Sequence, residues 1–117
     1  MGTWNCGPFD NDSALDTVSD LVEGTFNMDQ FRFDCGAGHL DSDNGAAVVA
    51  LNAVINGHVP SPKDAAALKY RFTFQERHWL KQKLREVLDP NNSELYQMWN
   101  DSGDLNKWLE ETDRATR

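Results

Sequence analysis

The run Ser42-Asp-Asn-Gly-Ala-Ala-Val-Val-Ala-Leu-Asn-Ala-Val-Ile-Asn-Gly57 decides the fold. Ala47, Val48, Leu51, Val54 and Ile55 recur at the three- and four-residue intervals of one helical face. Ser42 or Asp43 is placed to cap its start, because short polar side chains accept hydrogen bonds from the free N–H groups of a first turn. Gly57 ends it.

The same pattern extends outward in both directions. Toward the N-terminus, Ala14, Leu15, Val18, Leu21 and Val22 form a second stripe, capped by Asn11 or Asp12 and stopped at Gly24. Asp16, Asp20 and Glu23 fall off that stripe and face water. Asn27 or Asp29 begins a short helix through Phe31 and Phe33, and residues 35–45 read as a glycine-rich polar loop. Toward the C-terminus, Ser61-Pro62 starts a helix that buries Ala65, Leu68 and Phe72. Thr73 breaks or caps the chain before a helix from about Gln75 to Leu88, with Leu80, Leu84, Val87 and Leu88 inward and Trp79 beside them. Its outer face is basic: Arg77, Lys81, Lys83 and Arg85. Ser93 caps a helix carrying Leu95, Met98 and Trp99. After a turn at 100–103, Leu105, Trp108 and Leu109 mark a last helix whose end frays.

No stretch alternates apolar and polar residues strictly, so no strand is expected. The predicted architecture is all-α: one domain, residues 1–117, a compact bundle of about five to seven helices. At 117 residues, with four Trp, six Phe and two Tyr, the chain can build one core without metal or disulfide.

The net charge of −8 is confined to the first 64 residues, which hold ten acids and two bases; residues 65–117 hold nine of each. Such a half repels nucleic acid and anionic membrane and attracts a basic partner. No apolar run reaches the ~18–20 residues of a membrane span, and the first twelve residues lack the basic and apolar regions of a signal peptide. A cytoplasmic protein with Cys6 and Cys35 as buried free thiols is expected.

Chemistry has one local candidate, Cys35-Gly-Ala-Gly-His39-Leu-Asp41-Ser-Asp43. It lacks the paired ligand spacing of zinc. It also fails as a calcium loop: counted from Asp41, the glycine falls one place early and Asn52 stands where the bidentate glutamate belongs. Cys35 with His39 is the one close thiol–base pair. No cofactor is expected, and Gly36 and Gly38 do not form a phosphate loop. The basic helix face is interleaved with Glu76, Glu86 and Asp89 and reads as a solvated face paired with acids elsewhere.

The two ends of the chain carry motifs. Met1-Gly-Thr-Trp4, Gly7-Pro-Phe9-Asp-Asn-Asp12 and the helix that follows resemble the opening of a bacterial family known as domain of unknown function 4259. Asn92-Ser-Glu-Leu-Tyr-Gln-Met-Trp-Asn-Asp-Ser-Gly103, followed by Trp108, is similar to its closing segment. Asn5 stands where the family usually has glycine. In the opening motif Trp4 and Phe9 are expected to plug into the bundle, Gly7-Pro8 to turn the chain, and Asp10-Asn11-Asp12 to cap the first helix. The resemblance implies a small helical bacterial protein and transfers no catalytic residue. In size and acidity such proteins resemble the immunity proteins that accompany secreted toxins.

The favoured function is therefore a binding protein of the immunity or antidote type. Its expected partner is a protein with a basic surface, a toxin under that reading. The expected contacts are Asp16 and Asp20 on the first helix and Asp34, Asp41 and Asp43 in the polar loop. A phage- or host-encoded modulator of a defence complex follows the same binding logic. A small metal or thiol enzyme centred on Cys35 and His39 is the alternative of another class. Either a monomer or a homodimer through an exposed tryptophan is compatible with these readings.

Overall fold

A computed structural model describes residues 6–117. They form six α-helices, α1 (Asp12–Glu23), α2 (Met28–Cys35), α3 (Ser42–Ile55), α4 (Phe74–Val87), α5 (Glu94–Ser102) and α6 (Leu105–Thr116), with a 3₁₀ helix, Pro62–Lys69, between α3 and α4. The all-α expectation holds. Among the described residues the sole β pairing is an isolated parallel bridge between Leu40 and Ser93. The radius of gyration of 13.1 Å matches the value of about 13 Å for a compact chain of this length.

α3 is the axis of the molecule. Every residue from Gly45 to Val54 is buried, because α1, α4, α5 and α6 all pack on it. A single apolar stripe was too narrow a reading; small residues at Ala46, Ala50 and Ala53 let neighbours approach the remaining faces. The start of α3 also differs. Asp41 is the cap, its Oδ1 accepting from the Asn44 N–H at 2.7 Å. Ser42 and Asp43 already lie in the first turn.

Local chemistry sets four of the other starts, each at a residue the sequence offered. Asn11 caps α1, Asn27 caps α2 and Ser93 caps α5. Thr73 and Glu76 form a reciprocal capping box at α4. On α1 the buried side is Ala14, Val18 and Leu21, whereas Leu15 is 44% exposed.

Three expectations fail for physical reasons. In Pro62–Lys69 the 3₁₀ winding turns Ala67 inward, so Ala65 and Leu68 face solvent. Phe72, beyond it, is buried as expected. The last helix does not fray: it runs to Thr116, Ala115 is buried, and the Asn56 Nδ2 of α3 donates to the Ala115 carbonyl at 3.0 Å. Lys83 is buried rather than part of the basic face. Its Nζ donates to the Gly36 carbonyl at 3.2 Å and to Glu86 at 3.1 Å, 5.6 Å from the centre of the Trp79 ring.

Both cysteines are buried and free. Trp99 and Trp108 are also buried, stacked at 6.2 Å with 12° between their planes. That leaves neither free to anchor a dimer. Trp79 is half-buried. Phe9 packs on the core as expected, while Trp4 lies outside the described residues. No described helix is long and apolar enough to cross a membrane.

Candidate functional site

The segment Gly7–Asp12 builds a tight entry to α1. The Gly7 N–H donates to Asp10 Oδ2 at 3.0 Å, and the Asp10 N–H returns to the Gly7 carbonyl at 3.3 Å. A Cβ at Gly7 would stand 2.5 Å from Asp10 Oδ2, so a side chain there would displace the Asp10 carboxylate. Asn11 alone caps α1, accepting from the Ala14 N–H at 2.8 Å. Asp10 therefore closes the turn and Asp12 enters the first turn, so the three residues do not act together as a cap.

This entry lies over α5. Gly7, Pro8, Asp12 and Asp43 stand around a cleft of about 230 Å³ whose apolar side includes Leu95, Met98 and Trp99. Trp108 backs it, stacked on Trp99, with Tyr96 edge-on at 6.3 Å. Met98 is 54% exposed. The Ser13 hydroxyl donates to Asp43 Oδ1 at 2.8 Å and joins α1 to α3 at the rim. The segments Gly7–Asp12 and Asn92–Gly103 thus meet at one place.

The cleft is smaller than the ~300–1,000 Å³ of small-molecule sites. It suits a protruding side chain. Asp12 and Asp43 are exposed, Asp43 with one carboxylate oxygen already taken by Ser13.

Of the five expected contact residues, the three assigned to the polar loop do not share it: Asp43 lies in the first turn of α3. Asp34 is on α2, where its carboxylate accepts from Gln30 at 2.9 Å. Asp41 is spent on capping α3. Asn44 connects the two, its Nδ2 reaching the Asp34 carbonyl and Asp41 Oδ2. The loop itself is short, Gly36 to Asp41. Asp16 and Asp20 lie exposed on α1, and Asp20 accepts from the Thr25 hydroxyl at 3.3 Å. Of the five, Asp43 alone lines the cleft. Asp12 was missed, although its place in the opening motif was the available signal.

Cys35 and His39 are not arranged as a thiol–base pair. Burial pushes the Cys35 thiol up to about 11; Lys83 opposes the rise, and Asp41, Asp34 and Glu86 add to it. A nucleophilic cysteine needs the opposite shift. His39 is exposed, and its charge acts on Glu94. Among the described residues no group of three or more His, Cys, Asp or Glu is placed to hold a metal ion.

No match was found among curated proteins or among solved structures. The family model described as Domain of unknown function (DUF4259) matches residues 2–111. That span takes in both segments that meet at the cleft, and the chain therefore belongs to this family.

Proposed function

We propose that this chain is a bacterial, cytoplasmic binding protein of the immunity or antidote type, which holds a basic protein partner over the α1–α3–α5 cleft. The observation that carries this reading is the acidic rim, Asp12 and Asp43, above an apolar wall of Leu95, Met98 and Trp99. An arginine or lysine side chain matches both parts: its stem lies on apolar atoms and its head reaches carboxylate. The net charge of −8 speeds the approach of a basic surface. Exposed Asp16 and Asp20 extend the same field along α1.

The experiment compares the wild-type chain with Asp12→Lys/Asp43→Lys and with Met98→Asp in affinity capture from the bacterial host. The captured protein is then purified for kinetics. The expected result is a basic partner whose association slows with salt and with charge reversal, and whose dissociation quickens in Met98→Asp. Unchanged rates and salt dependence in the charge-reversed variant would overturn the reading. Circular dichroism of each variant confirms that the fold is intact.

A further inference from the structure

Toward the C-terminal end of α3, on a separate set of residues, lies an open, solvent-facing cavity of about 420 Å³. Its size falls within the range of small-molecule sites. It is lined by Arg77, His78 and Lys81 of α4, by Asn56 of α3 and by Arg117 after α6, with Phe74 at its edge. We infer that this cavity binds a small phosphate ester that carries a planar ring, a mononucleotide-like ligand.

The first argument is charge. Arg77 and Lys81 stand four residues apart on α4, and neither makes an ion pair among the described residues. Glu76, next to Arg77 in the chain, accepts from the Thr73 N–H at 2.8 Å, and Arg117 is paired with Asp113 at 3.2 Å. α3 has no basic residue in its own last turn, so the partial negative charge of its C-terminal end, about half a unit, opposes an anion here. That is less than the positive charge Arg77 and Lys81 carry together. α6 carries Arg114 in its last turn.

The second argument is the ring. Phe74 is 84% exposed at the first position of α4, and its open face suits stacking with a flat group. Size and charge together select the ligand. A polyanion is repelled by the net charge of −8, whereas a small anion inside the cavity responds to the local cations. This assignment is independent of the cleft at the other end of α3.

The test is a ¹H–¹⁵N NMR titration of the full chain with adenosine monophosphate, with inorganic phosphate and adenosine as separate arms. The expected result is saturable shifts confined to residues 74–81, 52–56 and 116–117. Phosphate alone and adenosine alone should each bind at least about tenfold more weakly. Arg77→Gln and Lys81→Gln should each weaken binding by about tenfold or more, the range of a charge-assisted hydrogen bond. Phe74→Ala should reduce binding of the nucleotide but not of phosphate. All three positions are exposed, so the fold is not at risk. The absence of saturable shifts at millimolar nucleotide, or equal affinity for phosphate and nucleotide, would overturn the inference.

Discussion

The backbone N–H of Ser42 donates to Glu94 Oε1 at 2.8 Å, across 52 residues of sequence. The first residue of α3 is thus satisfied by the first residue of α5. Beside it the Leu40–Ser93 bridge is closed by Leu40 N–H to the Asn92 carbonyl at 2.7 Å and Glu94 N–H to the Leu40 carbonyl at 3.0 Å. These contacts fasten the loop before α3 to the loop before α5, and so set the wall of the cleft.

The Ser42 hydrogen bonds hold the Glu94 carboxyl below its usual 4.5. A carboxylate whose folded pKa is lowered contributes stability that is fully present above the unfolded value. That contribution is lost as pH falls through the folded value. Glu94→Gln keeps an acceptor oxygen and removes the charge. Denaturant unfolding of both proteins across the acid range should show wild type ahead above 4.5, with the gap closing at lower pH. A gap that stays constant with pH would contradict the assignment.

The alkaline side behaves in mirror image. Burial raises the thiols of Cys35 and Cys6 and the phenol of Tyr70. For Cys35, with 9.0 as the unfolded value and about 11 as the folded one, stability is retained below 9.0 and lost as pH rises toward 11. Cys35→Ala should flatten part of that alkaline loss in unfolding curves. The native thiol should also alkylate about a hundredfold more slowly near neutral pH than an ordinary thiol, as a two-unit shift dictates. Rapid native alkylation would return Cys35 to the list of nucleophiles.

Lys83 ties α4 to the loop after α2 through the Gly36 carbonyl. Lys83→Ala removes that bond, the pairing with Glu86 and the stem packed near Trp79. The expected cost is about 2 kcal/mol in chemical denaturation, the sum of lost packing and a charged hydrogen bond. Lys81→Ala, two residues earlier on the same helix and exposed, should change stability by less than about 0.5 kcal/mol. Equal effects would mean that the Gly36 contact contributes nothing.

Features that depend on neighbours in sequence were legible. Asn11, Asn27, Thr73 and Ser93 each cap a helix whose first turn lies within three residues. Features that depend on distant partners were not. Asp41, Ser42 and Asp43 are all good capping residues, and the choice among them involves Glu94, 52 residues away. Ala65 and Leu68 followed an α period that the 3₁₀ winding does not keep. Lys83 looked equivalent to Lys81 until Gly36 was brought against it. The cleft was hidden for the same reason. Asp12 and Asp43 share its rim only because α1 crosses the start of α3, and local charge counting gave Asp16 and Asp34 equal weight.

Thr112 gives the sharpest test of packing. Its side chain is wholly buried on α6, and its hydroxyl has no hydrogen-bond partner among the described residues. A buried hydroxyl without a partner has given up its hydrogen bonds to water for nothing in return, at a cost of about 1–3 kcal/mol. Valine has nearly the same shape and the same branching, so Thr112→Val leaves packing intact and removes the penalty. The main-chain carbonyl of Thr112 continues to accept from the Thr116 hydroxyl. The expected outcome is a gain of about 1 kcal/mol in denaturant unfolding with an unchanged m-value. Thr112→Ser, which keeps the hydroxyl and deletes a methyl, should lose stability, because it adds a void and retains the orphaned group. If Thr112→Val unfolds more easily than wild type, the hydroxyl is satisfied by an internal water, and α6 is held to the core by a polar contact rather than by packing alone.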